Sequence, residues 1–284
     1  QRMNQLTCNA RYMDEVERVL YNNVLTGVSL SGDKYTYQNP LNTDKPDRWE
    51  WHVCPCCPPM FLKIMAAMPG YIYAYQGDNV YVNLFIGSEV RIPVGDNSVR
   101  LKQLTSYPWH GAVSIQVNPD KASTFSMKVR IPGWAQGTEN PYDLYQSNLK
   151  APVKLKVNQE DVLLRIVDGY AEINREWKKG DHIELELPMQ PRLITANKAV
   201  ENLRGQVALA SGPIIYCFED ADNPELQTFK LQAQTPLELS HDSNLLNGVN
   251  IIKCQGDIPA KAIPYYAVAN REESHSYKVW IPQK

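Results

Sequence analysis

Near residue 71 the hydrophobic period of this chain changes, and that change constrains its fold more than any other feature. Before it, Tyr12, Val16, Val19, Leu20, Val24 and Val28 recur every three or four residues, the pattern of an amphipathic helix, with Asn9 as the candidate N-cap. After it, apolar residues alternate: Tyr71, Tyr73, Tyr75; Val80, Val82, Leu84; Val113, Ile115, Val117; Phe125, Met127, Val129, Ile131; Val153, Leu155, Val157; Ile183, Leu185, Leu187. Successive strand side chains point to opposite faces, so a period of two puts one face of each strand in a core. Turn signals separate these runs at Gly77-Asp78, Asn118-Pro119-Asp120, Pro132-Gly133 and Gly180-Asp181. Short, evenly spaced strands of this kind predict antiparallel β-sandwiches.

The 284 residues suggest about two domains or more. Pro188 to Pro191 is the preferred boundary within the β region, with a second β-rich stretch from about Leu193 that includes VALASGPIIYCFE and AIPYYAVAN. Segment 1–70 is helical with loops: a turn at Ser31-Gly32-Asp33, a short extended piece Tyr35-Thr36-Tyr37, a polar loop from Asn42 to Arg48, and a short, mostly buried helix opened by Pro58-Pro59 and closed by Pro69-Gly70. The expected division is therefore 1–70, 71–190 and 191–284. The chain opens as QRMNQLTCNARYMDEVERVL, without Met or a signal-like apolar core, and is expected to be part of a longer protein. A net charge of −2 makes no electrostatic case for nucleic acid or an anionic membrane, and no apolar run approaches the ~18 residues of a spanning helix.

Six cysteines stand at positions 8, 54, 56, 57, 217 and 254, three of them within four residues. Disulfide frameworks space their cysteines apart, so Cys54-Pro55-Cys56-Cys57-Pro58-Pro59 asks for another reading. Cys56 and Cys57 precede a predicted helix N-terminus, whose unpaired N–H groups favour thiolates. Three roles fit: buried structural thiols, ligands of a metal such as zinc, or a catalytic nucleophile. A thiol–disulfide exchange involving Cys54 is a redox variant of the second. Were 50–56 extended, Glu50, His52, Cys54 and Cys56 would share one face, which makes Glu50 and His52 local candidates. Each also has a bland reading, Glu50 as a solvated carboxylate and His52 as a packing group. Trp134 is either a sugar platform or a packing aromatic, and Cys217 and Cys254 are most simply buried thiols. His110, His182, His241 and His275 read as loop, strand or surface residues.

The segment RWEWHVCPCCPPMFLKIMAAMPGYIYAY resembles the cysteine-rich signature of the glycoside hydrolase family 127 β-L-arabinofuranosidases. The likeness continues in RMNQLTCNARYMDEVERVLYNNVLTGVSLSGDKYTYQNPL before it, and in INREWKKGDHIELELPMQPRL, GPIIYCFE and AIPYYAVANR after it. It implies a mainly β chain, the last helices of an (α/α)6 barrel followed by antiparallel β-sandwich domains. It also implies a retaining enzyme that releases terminal β-L-arabinofuranose from plant-type glycans, in a bacterial, periplasmic or secreted setting. In that family the first of the adjacent cysteines, here Cys56, is the nucleophile and a zinc ligand, and the second, Cys57, is another ligand. Tyr37, in the YxNPL segment, resembles a tyrosine on the substrate side of the pocket. The remaining ligands and the acid/base Glu would precede RMNQLT, so the rest of the barrel is an expected partner, on this protein or another chain. Met60 stands where the family has Asn. Cys8 stands at a turn that usually carries Gly. The competing expectation is a non-catalytic module that binds sugar or docks a partner through its β domains.

Overall fold

The computed structural model describes residues 1–50, 53–54, 56–140, 142–255 and 258–284, and it is mainly β. Its strands fall into three sheets of six, five and ten strands. The chain divides into two compact units, each assembled from three stretches: Gln1–Glu17, Ala66–Gln136 and Lys150–Met189 in the first, and Arg18–Met65, Gly137–Leu149 and Gln190–Lys284 in the second.

The first unit holds the six- and five-stranded sheets. The six-stranded sheet is antiparallel throughout, with Asp181–Glu186, Ala112–Pro119, Asn97–Thr105 and Ser88–Val94 as consecutive neighbours. The period-two runs bury the expected alternate residues: Val113, Ile115 and Val117 in one strand, Ile183 and Leu185 in the next, and Leu155 and Val157 beyond it. In the five-stranded sheet, Tyr170–Trp177 pairs with Ser123–Arg130 over eight residues and buries Phe125, Met127 and Val129. The Gln103 amide of the first sheet donates to Tyr73 Oη of the second (2.9 Å). One pair departs from the antiparallel expectation: Asn79–Val82 runs parallel to Ser123–Arg130. A parallel pair needs a long crossover, and residues 83–122 provide it by building three strands of the other sheet on the way.

Gly111 shows how closely this unit is packed. A Cβ there would lie 2.0 Å from the Leu187 carbonyl oxygen, while the Gly111 carbonyl accepts the Leu187 N–H at 3.0 Å. Backbone cannot yield as a flexible side chain can. Gly111→Ala should therefore cost on the order of 2–4 kcal/mol, read as a fall in the urea midpoint at unchanged slope.

In the second unit the ten-stranded sheet carries the strands predicted in VALASGPIIYCFE, at Gln206–Ser211 and Ile214–Glu219, and buries Cys217 and Cys254 as free thiols. Burial pushes the Cys254 thiol up to about 12, so it stays protonated and unreactive. A bidentate ion pair, Arg192 to Glu139 (2.6 and 3.0 Å), is enclosed in the same unit.

The helical reading holds over 11–27 with a change of winding, and Val28, expected on the same helical face, is extended instead. Asn9 Oδ1 accepts the Arg11 N–H (3.1 Å) as an N-cap, and the helix Arg11–Arg18 follows. Val19–Val24 then widens to a π-helix and Leu25–Gly27 tightens to 3₁₀. The Asn22 side chain explains the widening. Its amide donates to Arg18 C=O (2.9 Å) and Pro213 C=O (2.8 Å) and accepts from Ile215 N–H (2.7 Å), pinning the turn to the strand beside it.

Two local expectations are corrected. Tyr71 lies in a helical turn, Pro69–Ile72, because proline at its first position starts a new turn where it was expected only to end the old one. The helix Cys57–Ala67 is not mostly buried: Pro58 is its one buried residue, and Met60 and Leu62 are 52% and 65% exposed. Its apolar residues are spread around the helix, so no single stripe faces the neighbouring elements. Among the described residues no helix is long and apolar enough to cross a membrane.

Candidate active site

Cys57 is the first residue of the helix Cys57–Ala67 and Cys56 immediately precedes it, so the predicted helix start places both thiols at its N-terminal end. Their sulfurs are 3.7 Å apart and neither is bonded to the other. Cys54 and Cys56 are exposed and Cys57 is half-buried. The Cys56 N–H donates to the Cys54 carbonyl (2.9 Å) in a turn. The extended run over 50–56 that would put Glu50, His52, Cys54 and Cys56 on one face includes positions outside the described residues. Glu50 is exposed, and no hydrogen bond or ion pair ties its carboxylate to the cysteines among the described residues. His52 lies outside the described residues.

Tyr37 stands beside the cluster. Its hydroxyl donates to the Cys54 carbonyl at 2.6 Å. Desolvation is the main cause that holds the phenol proton more tightly than usual, and the nearby charges of Cys57, Cys56 and Cys54 add to it, so Tyr37 remains a donor at neutral pH.

The segment carrying Tyr37 is held from both sides. Tyr35 exchanges backbone hydrogen bonds with Trp49 (2.8 Å each) and bridges to Val28. The Arg48 guanidinium reaches beneath to the carbonyls of Val268 (3.0 and 2.9 Å) and Thr26 (2.9 Å). Burial lowers the Arg48 pKa to about 10, leaving it cationic at neutral pH. Arg48 and Trp49 are supports of the Tyr37 segment that the sequence alone does not mark. Arg48 ends the expected polar loop, and no local pattern marks an arginine that reaches Thr26 behind it and Val268, 220 residues on.

The remaining candidates resolve as structural groups. Trp134 is 6% exposed and its indole N–H donates to Glu17 Oε2 (3.2 Å), so it packs and offers no sugar platform. His182 sits in a strand 3.9 Å from Glu184, and His241 Nδ1 is 3.0 Å from Asn250 Oδ1. Cys8 has φ = 52°, the left-handed conformation that suits glycine at a helix C-terminus, which accounts for a turn position where glycine is usual.

Two thiolates bound at about 2.3 Å to one tetrahedral zinc stand roughly 3.8 Å apart. The 3.7 Å between Cys56 and Cys57 fits half of such a donor set without rearrangement. Among the described residues no third Cys, His, Asp or Glu joins them.

Comparison with known proteins gives one family along the whole chain. Sequence models described as the β-L-arabinofuranosidase GH127 catalytic domain, the GH127 middle domain and the glycoside hydrolase family 127 C-terminal domain match residues 1–70, 79–189 and 191–282. A curated relative, the non-reducing end β-L-arabinofuranosidase of Bifidobacterium longum, is 29% identical over 96% of this chain and 45% of its own length. Two solved structures are similar to the chain over its full length at 34% identity. One is a GH127 β-arabinofuranosidase (TM-score 0.93, 47% of that chain); the other is a GH127 β-L-arabinofuranosidase from Geobacillus stearothermophilus T6 (TM-score 0.90, 48% of that chain). The chain thus spans about half the length of the relatives it matches. Three models of one family in chain order, and structures of that family followed from end to end, place the chain in glycoside hydrolase family 127.

Proposed function

We propose that this chain carries the nucleophile of a retaining glycosidase that releases terminal β-L-arabinofuranose, or a closely related sugar, from plant-type glycans. The observation that carries the reading is the pair of unbonded thiols 3.7 Å apart at the start of a helix, within a segment of the family's catalytic domain. Cys56 attacks the anomeric carbon. A C–S bond forms as the glycosidic C–O bond breaks, and the electron pair leaves with the oxygen, which takes a proton from a general acid. Water, deprotonated by the same group, then attacks the anomeric carbon and returns the electrons to sulfur. Two displacements at one carbon retain its configuration.

Cys56 and Cys57 would hold zinc, which when bound keeps the thiols deprotonated and fixed in direction. Tyr37 steadies the turn by its bond to the Cys54 carbonyl. The remaining ligands and the acid/base Glu are assigned to a further barrel segment, on this protein or a partner chain.

The metal half of this reading is tested by native mass spectrometry with zinc quantified on the same sample. The protein together with any barrel partner should carry one zinc per chain, and Cys57→Ala should lose it. Equal zinc in both would remove Cys57 as a ligand. The observation that only two ligating side chains gather among the described residues favours a second reading, a carbohydrate-binding module. A zinc-free species that binds arabinan oligosaccharides without cleaving them would select it.

A further inference from the structure

Beside Tyr37 the second unit contains a cleft of about 170 Å³, lined by residues of the 26–49 segment and by Val268, Ala269 and Tyr277. We propose that this cleft binds the sugar ring on the leaving side of the scissile bond, a neutral pentose or hexose unit. The proposal rests on the glycosidase reading above and names the second subsite of that site.

Position is the first argument. Tyr37 belongs both to the cleft wall and to the cysteine turn, through its hydroxyl and the Cys54 carbonyl. A ring seated in the cleft is therefore next to the segment that carries Cys56.

The second argument is the wall. The Tyr37 and Trp49 rings, both in the lining of the cleft, lie 5.6 Å apart at 34°. The indole N–H donates to the Asp47 carboxylate, which fixes how the ring stands. Sugars present C–H faces to such rings and hydroxyls to polar groups around them.

Those polar groups are present and oriented. Asn39 Oδ1 accepts from the Thr36 hydroxyl (2.9 Å), which turns the Asn39 amide NH₂ away, and that NH₂ donates to no group among the described residues. Lys45 lines the same cleft and forms no ion pair among the described residues. Lys45 and Asp47 offset one another, so the cleft selects against a charged ligand and for a neutral polyol. Its volume corresponds to roughly six waters, the space of one sugar ring and not of a chain.

The base is rigid. Arg48 ties it to Val268 and Thr26, and the Tyr277 and Tyr265 hydroxyls both donate to the Pro40 carbonyl (2.8 and 3.0 Å). A rigid cleft loses little entropy on binding.

The test measures binding of a β-L-arabinofuranosyl-L-arabinofuranose disaccharide in a Cys56→Ser background, where hydrolysis does not interfere. The Trp49 indole resonance should shift on titration. Trp49→Ala should weaken binding about ten-fold and Asn39→Ala several-fold, with the fold of each variant checked by circular dichroism. Lys45→Ala, a change at an exposed side chain of the cleft wall, provides a second measure and should also weaken binding. Unchanged affinity in all three variants, or no binding of the disaccharide, would overturn the proposal. A parallel reaction of the Cys56-containing protein with β-L-arabinofuranosyl fluoride separates this from the glycosidase reading, because fluoride leaves the cleft empty. An arabinosyl adduct on Cys56 that Trp49→Ala leaves intact, with disaccharide affinity reduced, supports both. An adduct without any effect of the cleft variants on binding sinks the cleft alone. Weakened binding without an adduct sinks the nucleophile and keeps the cleft.

Discussion

If Cys56 is the nucleophile proposed above, Cys56→Ser should lower β-L-arabinofuranoside hydrolysis on the order of 10³-fold or more, while the neighbouring Cys54→Ser should leave most of it. The physical reason is the difference between the two positions. Cys56 lies next to Cys57, with sulfur against sulfur at 3.7 Å, at the start of the helix; Cys54 meets Tyr37 through its backbone carbonyl, which serine retains. A serine hydroxyl is far harder to deprotonate than a thiol and is a poor ligand for zinc, so one substitution would remove both the proposed nucleophile and half of the proposed metal's local donor set. The assay follows release of arabinose and, in parallel, the mass of the cysteine peptide after rapid quenching. An arabinosyl adduct on the peptide of the unsubstituted protein, absent in Cys56→Ser, is the expected pair of results. Wild-type turnover in Cys56→Ser would exclude it as nucleophile. Loss of activity in Cys54→Ser with Cys56→Ser active would transfer the role.

The largest effect on stability is expected at Arg130. Its guanidinium has no solvent exposure and bonds to both Glu17 carboxylate oxygens, to Asp14 Oδ1 (2.7 Å) and to the Asn83 carbonyl (2.5 Å). Glu17, itself 1% exposed, also accepts from Tyr107 Oη (2.8 Å) and the Trp134 indole (3.2 Å). Burial alone would lower the Arg130 pKa, but the two carboxylates outweigh it and raise it, so the cation persists at every pH at which the protein folds. Arg130→Met would strand the Glu17 charge in the core and should cost about 3–5 kcal/mol. Adding Glu17→Gln to Arg130→Met should recover part of that loss, because the remaining group is neutral and its amide can accept from the Trp134 indole while donating to Tyr107 Oη. Urea unfolding of the single and double variants measures this. A double variant as unstable as the single one would show that shape, and not charge, dominates.

Asp14, at the edge of the same network, gives it a pH dependence. Desolvation is the largest cause raising its pKa from 3.8 to about 6, against the opposing pull of Arg130 and with a further push from Glu17. The folded state thus holds this proton more tightly than the unfolded chain does. The corresponding stability is fully present below about pH 4 and is lost as pH rises through about 6. Relative to Asp14→Asn, which cannot titrate, the wild-type urea midpoint should fall between pH 4 and pH 7. A constant difference over that range would mean that Asp14 titrates normally.

Much of this protein was legible in its residues because the relevant signals are local. Alternation at Val113-Ile115-Val117 and Ile183-Leu185 reports a half-buried strand wherever it lies, and these strands form with the expected faces inward. The strands Ser88–Val94 and Asn97–Thr105 were not singled out, although Val90, Ile92, Val99 and Leu101 alternate around a Gly95-Asp96 turn; the signal was there to be read. Adjacent cysteines before two prolines and a helix are equally local, which is why Cys56 and Cys57 stood out, and Tyr37 was drawn in only through the family likeness of its segment.

What the tertiary structure decided is the set of contacts between residues far apart in the chain. Glu17 meets Arg130 across 113 positions and Arg48 meets Val268 across 220, and no periodicity marks either pair. The same holds for the allocation of the first 70 residues, of which 1–17 join the first unit and 18–65 the second. By itself, the sequence determined strand periodicity, the helix start and the thiol pair, because sterics and backbone hydrogen bonding act over a few residues. Only the folded chain could set the sulfurs 3.7 Å apart, turn Tyr37 onto the Cys54 carbonyl and open a cleft beside it, because those depend on which distant surfaces exclude water together.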